Sequence, residues 1–306
     1  MKRAVWITLL LCIAAAVALS QEVETFTPSI SDVVFSEIAD QELALDVYLP
    51  KEPAAEVPAL IYVHGRLWRS GDKSAVPEFL RKSLLDAGIA LVSVNYRFSP
   101  SDTFPAQVED VTRAVQFVRW AAKDWGLRED RIALMGVAAG AHLALWVGLH
   151  DDQANRTSKD PVERSSSRVA AIVNYYGPAN FRLLKTIEHT DPAFVQLFGL
   201  DPGDSPSMIA DELLAAASPV TYVSPGDPPV FTFHGLDDQT VPVEHARELI
   251  AKLRENNVPC EEFLLEKGVH DYSRAQAGWP DFQGATIDFL KKNLLSPAEH
   301  PHAPTE

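Results

Sequence analysis

Cysteine is scarce in this sequence of 306 residues, which contains only Cys12 and Cys260. Cys12 lies inside an N-terminal apolar run and follows Leu11 rather than a small residue, which argues against a lipoprotein attachment site. If that run is removed by processing, Cys260 remains alone and no internal disulfide can form. Stability must then come from a hydrophobic core. Export without disulfides favours a bacterial envelope or secreted protein.

Positive charge is also scarce, because 27 Lys and Arg residues stand against 42 Asp and Glu residues, for a formal net charge of −15. The basic residues form no cluster, so the composition argues against nucleic acid as a partner. The acidity favours solubility. It also disfavours a strongly anionic ligand unless a local positive charge overrides it.

Signatures for metals and nucleotides are missing. The "HDD" at 150–152 lies in a polar stretch and has no third ligand at a fixed spacing, so it does not indicate zinc. No glycine-rich phosphate loop occurs. We therefore predict no metal and no cofactor.

The first 20 residues have the organisation of an export signal. A basic "MKR" precedes the apolar run "AVWITLLLCIAAAVA", and "ALS" offers small residues before Gln21. The alternative is an uncleaved membrane anchor, but the run is short for a full span and no stop-transfer pattern follows. We predict a cleaved signal peptide over 1–20, a secreted or periplasmic protein, and no stable membrane insertion after cleavage.

The rest of the chain alternates between strand-like and helix-like segments. "LALDVYL" (43–49) alternates like a half-buried strand, whereas "ALIYV" (59–63) and "IALVSVNY" (89–96) are continuous, as parallel strands covered on both faces should be. Among the helical segments, "AQVEDVTRAVQFVRWAAKDWG" carries an apolar stripe, and its final Gly126 can end the helix. This alternation predicts an α/β fold with a mostly parallel twisted sheet and helices on both faces.

The domain organisation follows from the same pattern. We predict one domain over 21–296, with a polar surface loop at 150–168 and a small cap-like insertion at about 178–218. The tail at 297–306 is rich in proline and polar residues, and we expect it to be disordered.

The segment "MGVAAGAHLA" (135–144) raises the question of function. Gly136 and Gly140 lie four residues apart directly after a strand-like run. In a large class of hydrolases this spacing encloses a nucleophilic serine on a sharp turn from strand to helix, which is called the nucleophile elbow. Here the enclosed residue is Ala138, and no Ser, Cys or Thr occurs within 135–144 to replace it.

Further motifs follow other predicted strands. "HGRLWRSGDKS" begins at residue 64, "HGLDDQTVP" covers 234–242, and "KGVHDY" covers 267–272. Together with the elbow, this set resembles the α/β-hydrolase fold, in particular the esterase and lipase group of hormone-sensitive lipase-like and feruloyl-esterase-like (BD-FAE) enzymes. The resemblance covers nearly the whole mature chain. It implies a carboxylic ester hydrolase acting on acyl or carbohydrate esters.

The resemblance also implies roles for individual residues. Asp238 is the expected acid of a catalytic triad, Asp237 is the weaker candidate, and His270 is the expected base. Taken singly, Asp238 could be a turn residue and His270 a loop histidine. Their order behind the elbow favours the triad positions.

The pocket that stabilises an oxyanion is implied around His64, Gly65, Arg66 and Leu67, together with Ala139 after the nucleophile position. Relatives have His-Gly-Gly at the start of this loop, so Arg66 stands in place of a glycine. Its side chain either offers a cation to a carboxylate in the pocket or points to solvent. Ala141 is a milder departure, since relatives have glycine there.

Three interpretations follow. In the first, the chain is an esterase scaffold that Ala138 makes inactive, by nature or by design; changes at three neighbouring positions favour natural loss. In the second, it is a non-catalytic pseudoenzyme that binds a small ester-like ligand or a protein partner. In the third, His270 activates water for residual hydrolysis, which we consider the weakest.

Overall fold

The computed structural model describes residues 27–53, 55–186, 191–270 and 281–296, so the predicted signal peptide and C-terminal tail lie outside the described residues. The strands are β1 (Ile30–Ile38), β2 (Gln41–Tyr48), β3 (Val57–Val63), β4 (Ala90–Val94), β5 (Leu127–Val137), β6 (Ile172–Tyr175), β7 (Val230–Gly235) and β8 (Cys260–Leu265). The α-helices are α1 (Glu78–Asp86), α2 (Ala106–Ala121), α3 (Ala139–Leu149), α4 (Pro192–Gln196), α5 (Asp211–Ala217), α6 (Glu244–Glu255) and α7 (Phe282–Leu295). Within these described ranges, no helix has the length and apolar character needed to cross a membrane.

The eight strands form one sheet in the order β1-β2-β4-β3-β5-β6-β7-β8. β2 pairs antiparallel with both β1 and β4, and every pair from β4 to β8 is parallel. The prediction of an α/β fold with a mostly parallel sheet is therefore confirmed. Because the strands are parallel, the carboxyl ends of β3, β5 and β7 lie at the same edge.

Both faces of the sheet are covered, which explains the continuous apolar strands. Ile61 belongs to a core cluster that contains residues of α2, whereas its neighbours Leu60 and Tyr62 belong to a cluster that contains residues of α1 and α7. Successive side chains of a strand point to opposite faces, so a strand between two layers of helices must be apolar at every position.

Helix α2 has the predicted apolar stripe. Its residues Val108, Val111, Val115 and Val118 are fully buried. The helix ends at Ala121, and a turn follows in which Leu127 N–H donates to the Ala122 carbonyl over 2.7 Å. Gly126 closes this turn with a φ of +67°, a conformation that glycine adopts without steric cost.

The two irregular segments pack differently. The stretch 150–168 has no helix or strand, and the side chain of Gln116 in α2 donates to the Ser165 carbonyl over 3.0 Å. The described part of 178–218 contains α4, α5 and two short 3-10 helices, Phe181–Lys185 and Pro206–Met208. This second segment places Phe181, Phe194 and Leu214 in the same core cluster as α2.

Candidate functional site

The turn between β5 and α3 centres on Ala138. Its φ of 49° and ψ of −116° lie in a region that residues other than glycine seldom occupy. The Ala138 N–H donates to the Tyr175 carbonyl over 2.9 Å, and the Ala138 carbonyl accepts from Ala141 N–H and His142 N–H. These bonds hold residue 138 at the tip of the turn, at the carboxyl edge of the sheet.

The two glycines beside this turn are required by close contacts. A Cβ on Gly136 would lie 2.2 Å from the carbonyl carbon of Gly140, and a Cβ on Gly140 would lie 2.1 Å from the Val63 carbonyl oxygen. Both obstacles are backbone atoms, which cannot rotate away. The glycine spacing in the sequence therefore reflects a strand, a turn and a helix that pack at minimal distance.

Asp238 and His270 meet at the same edge of the sheet. Nδ1 of His270 lies 2.7 Å from Oδ2 of Asp238. Oδ1 of Asp238 accepts from the backbone N–H groups of Thr240 and Val241 over 2.8 and 2.9 Å. Asp237 is exposed, whereas Asp238 is buried, so the structure separates the two candidate acids.

The environment keeps Asp238 ionised. Burial alone raises the pKa of its carboxyl, but the hydrogen bonds to His234 and His270 outweigh burial and hold this pKa well below its usual range. His234 is fully buried; its Nε2 lies 2.7 Å from the Val241 carbonyl and 3.4 Å from Oδ2 of Asp238. Asp238 is thus a buried carboxylate that faces one half-buried histidine, His270.

The loop after β3 has an unusual backbone. Arg66, Leu67 and Trp68 have φ values of 73°, 58° and 56°, so three successive residues are left-handed. Trp68 is buried and donates its indole N–H to Nδ1 of His142 over 3.1 Å. The Tyr96 hydroxyl donates to the carbonyls of His64 and Gly65. These contacts anchor both ends of the loop.

A cavity of about 610 Å³ opens at this edge of the sheet. Its lining includes the predicted site residues His64, Gly65, Arg66, Leu67, Ala138 and His270. Asp238 and Ala139 do not line it: Asp238 lies behind His270, and Ala139 is the first residue of α3. The structure therefore brings six of the predicted site residues together around one opening.

Several further lining residues were not predicted from the sequence, among them Tyr176 and Asp191. Tyr176 follows β6 with a φ of 44°, and its ring centroid lies 4.8 Å from that of His270. Its position at the carboxyl end of a parallel strand is a signal that could have identified it. Asp191 lies on the insertion and caps α4 by accepting from the Ala193 N–H. No sequence signal indicates that it borders the cavity.

Comparisons with known proteins agree with this architecture. The BD-FAE family profile matches residues 45–253, a range that contains Ala138 and Asp238 and ends before His270. The probable carboxylic ester hydrolase LipM of Mycobacterium tuberculosis is 33% identical over 203 residues, which cover 65% of this chain and 45% of LipM. Esterase LipQ of the same organism is 33% identical over 220 residues, which cover 70% of this chain and 50% of LipQ. The chain thus spans about half the length of the curated relatives it matches.

Among solved structures, a truncated form of a carbohydrate esterase from gut microbiota is similar over 90% of this chain and 99% of that chain. The TM-score is 0.77 at 22% sequence identity. At this identity the likeness shows the fold, which is that of α/β-hydrolase esterases.

Proposed function

Because the chain belongs to the BD-FAE family, a carboxylesterase-type family of α/β-hydrolases, we propose that it is an exported member whose site does not form an acyl-enzyme. The observation that carries this proposal is the position of Ala138. It occupies the strained tip of the turn and shares one cavity with His270. A methyl group has no lone pair with which to attack a carbonyl carbon, so nucleophilic catalysis from this position is impossible.

The remaining residues keep an arrangement suited to ester hydrolysis. Asp238 orients His270 through Nδ1, which leaves Nε2 as the nitrogen that would deprotonate a hydroxyl at position 138. Backbone N–H groups of the loop 64–67 and of Ala139 are the proposed oxyanion donors. Substrates of an active form would be acyl or carbohydrate esters.

The test is a paired assay with a short acyl nitrophenyl ester. We expect no turnover by the unaltered chain and measurable turnover by Ala138→Ser. Adding His270→Ala to the serine variant should abolish that activity, because the serine then has no base. Turnover by the unaltered chain that survives His270→Ala would contradict the assigned site. If the serine variant folds but stays inactive, the Arg66 loop is disabled too.

A non-catalytic ligand-binding role is the second candidate. The presence of Arg66 at the cavity favours it, because a cation there has no part in oxyanion binding by backbone N–H groups. In this second candidate function, the protein keeps the cavity of the esterase fold and lacks only the nucleophile needed for hydrolysis.

Export is proposed from the N-terminal sequence, which ends its apolar run with small residues before Gln21. The test is the mass of the protein recovered from the periplasm or the medium of a bacterial host. A mature chain that begins at Gln21 is expected. Full-length protein in the membrane fraction would favour the uncleaved anchor instead.

A further inference from the structure

Arg66 places a positive charge beside the cavity that contains Ala138 and His270. Its side chain is exposed, and it borders both this cavity and a shallow groove beside Arg69 and Ser70. The sequence left two alternatives for the Arg66 side chain, which were contact with the pocket and exposure to solvent. These alternatives are not exclusive. Arg66 is exposed to solvent and is still one of the residues that line the site.

This charge is not neutralised by the residues that the structure describes. Arg97, for comparison, binds Asp110 with an N–O distance of 2.7 Å. Arg66 makes no ion pair with any described carboxylate, although the whole chain has a formal charge of −15. A cation at the edge of a concave site that has no ion-pair partner among the described residues is available to an anionic ligand.

Other groups around the cavity fit a small acid. Leu67 and Val137 supply apolar surface, and Tyr176 supplies a ring.

Two carboxylates among the described residues at the site oppose such a ligand. Asp191 also borders the cavity, and its carboxylate accepts from the Ala193 N–H at the start of α4. The second carboxylate at the site, Asp238, is buried and bound by two backbone N–H groups and His270.

We propose that the cavity binds a small monocarboxylate, the acid half of an ester, with its carboxylate held by Arg66. The apolar part of the ligand packs against Leu67, Val137 and Tyr176. This inference rests on the proposed function, in that it takes the pocket to be intact without a nucleophile. A neutral amide of the same shape lacks the charge that strengthens hydrogen bonds to a guanidinium.

The test compares benzoate with benzamide by saturation-transfer NMR on the unaltered chain, Arg66→Gln and Arg69→Gln. Arg69 is the matched control, because it belongs to the same loop and does not line the cavity. We expect benzoate to bind at least three times more tightly than benzamide. Arg66→Gln should reduce the affinity for benzoate by about three- to tenfold, as expected for loss of one charged hydrogen-bonding partner. The affinity for benzamide should not change. Arg69→Gln should change neither.

Arg66→Gly is a second variant that guards against misfolding, since a φ of 73° suits glycine. It should reduce the affinity for benzoate as much as Arg66→Gln does. Equal affinity for benzoate and benzamide, an equal loss in the Arg66 and Arg69 variants, or no benzoate binding at tens of millimolar would each overturn the proposal. Binding is measured without turnover, so this result is independent of whether Ala138→Ser gains activity.

Discussion

Trp68 donates its indole N–H to Nδ1 of His142 over 3.1 Å, and Nε2 of His142 lies 2.9 Å from the Ala217 carbonyl. Because Nδ1 accepts a hydrogen bond from the Trp68 indole N–H, the proton of the neutral imidazole must be on Nε2, which donates to the Ala217 carbonyl. Complete burial lowers the pKa of His142 to about 4, in agreement with a neutral ring. The pair links the loop after β3 to helix α3 and to the end of α5.

Removing the indole donor should weaken this link. Trp68→Phe keeps a large ring but leaves Nδ1 of the fully buried His142 without its partner. We expect a loss of about 1–3 kcal/mol in the free energy of unfolding, the usual cost of an unsatisfied buried group. Urea denaturation followed by circular dichroism measures it. Trp125→Phe is the control, since Trp125 contacts Phe117 through its ring. An equal loss in both variants would show that ring size, and not the hydrogen bond, is responsible.

Stability should fall on mild acidification because of the buried histidines. Burial lowers the pKa of His142 to about 4 and that of His245 to about 3, whereas unfolding restores ordinary values near 6.5. Below about pH 6.5 the unfolded chain therefore binds protons that the folded chain does not. The stability present above that pH is lost as pH falls toward the folded pKa values. Each histidine contributes on the order of 1–2 kcal/mol between pH 7 and pH 5.

Urea midpoints at pH 7 and pH 5 provide the measurement. His245→Asn is the informative variant, because Nδ1 of His245 accepts from the N–H groups of Ala179 and Asn180, and an asparagine oxygen can accept in its place. This variant should show a smaller difference between the two pH values than the unaltered chain. Identical urea midpoints at pH 7 and pH 5 in the unaltered chain would contradict the expectation that His142 and His245 are buried and neutral.

Patterns local in sequence predicted the fold well. The continuous apolar runs of β3 and β4 and the valine stripe of α2 specify a covered parallel sheet, because each periodicity depends on neighbours within a few residues. The positions of Ala138, Asp238 and His270 at strand ends followed from motif order, since parallel strands bring their carboxyl ends to one edge.

The contacts that support the site were not predictable in this way. Trp68 and His142 are 74 residues apart, and neither has a neighbour in sequence that indicates the bond between them. Asp191 reaches the cavity only because the insertion folds back to it. The left-handed backbone at Arg66 could not be predicted from the sequence either, because arginine is a residue type that disfavours positive φ.

The close approach at the elbow gives a sharp packing prediction. Gly140→Ala would place a Cβ 2.1 Å from the Val63 carbonyl oxygen, so β3 and α3 must separate. We expect a loss of more than about 3 kcal/mol in the free energy of unfolding, or no folded protein. Gly203→Ala is the control, since a Cβ there meets no atom within 4 Å. A Gly140→Ala protein as stable as this control would show that the elbow is less tightly packed.

The left-handed conformation of Arg66 predicts that the usual order of stability between an alanine and a glycine variant is reversed at this position. At most exposed positions alanine is more stable than glycine, because glycine loses more chain entropy on folding. At a φ of 73° alanine pays a steric cost that glycine avoids, so Arg66→Gly should be more stable than Arg66→Ala by about 1 kcal/mol. Both variants remove the same charge, which isolates the backbone effect.

Arg69 supplies the comparison, because it belongs to the same loop and is not among the residues with positive φ. There the alanine variant should equal or exceed the glycine variant in stability. Thermal and urea unfolding of the four proteins give the two differences. If alanine is the more stable substitution at both positions, the loop does not hold Arg66 in a left-handed conformation. The arginine at position 66 would then cause no backbone strain.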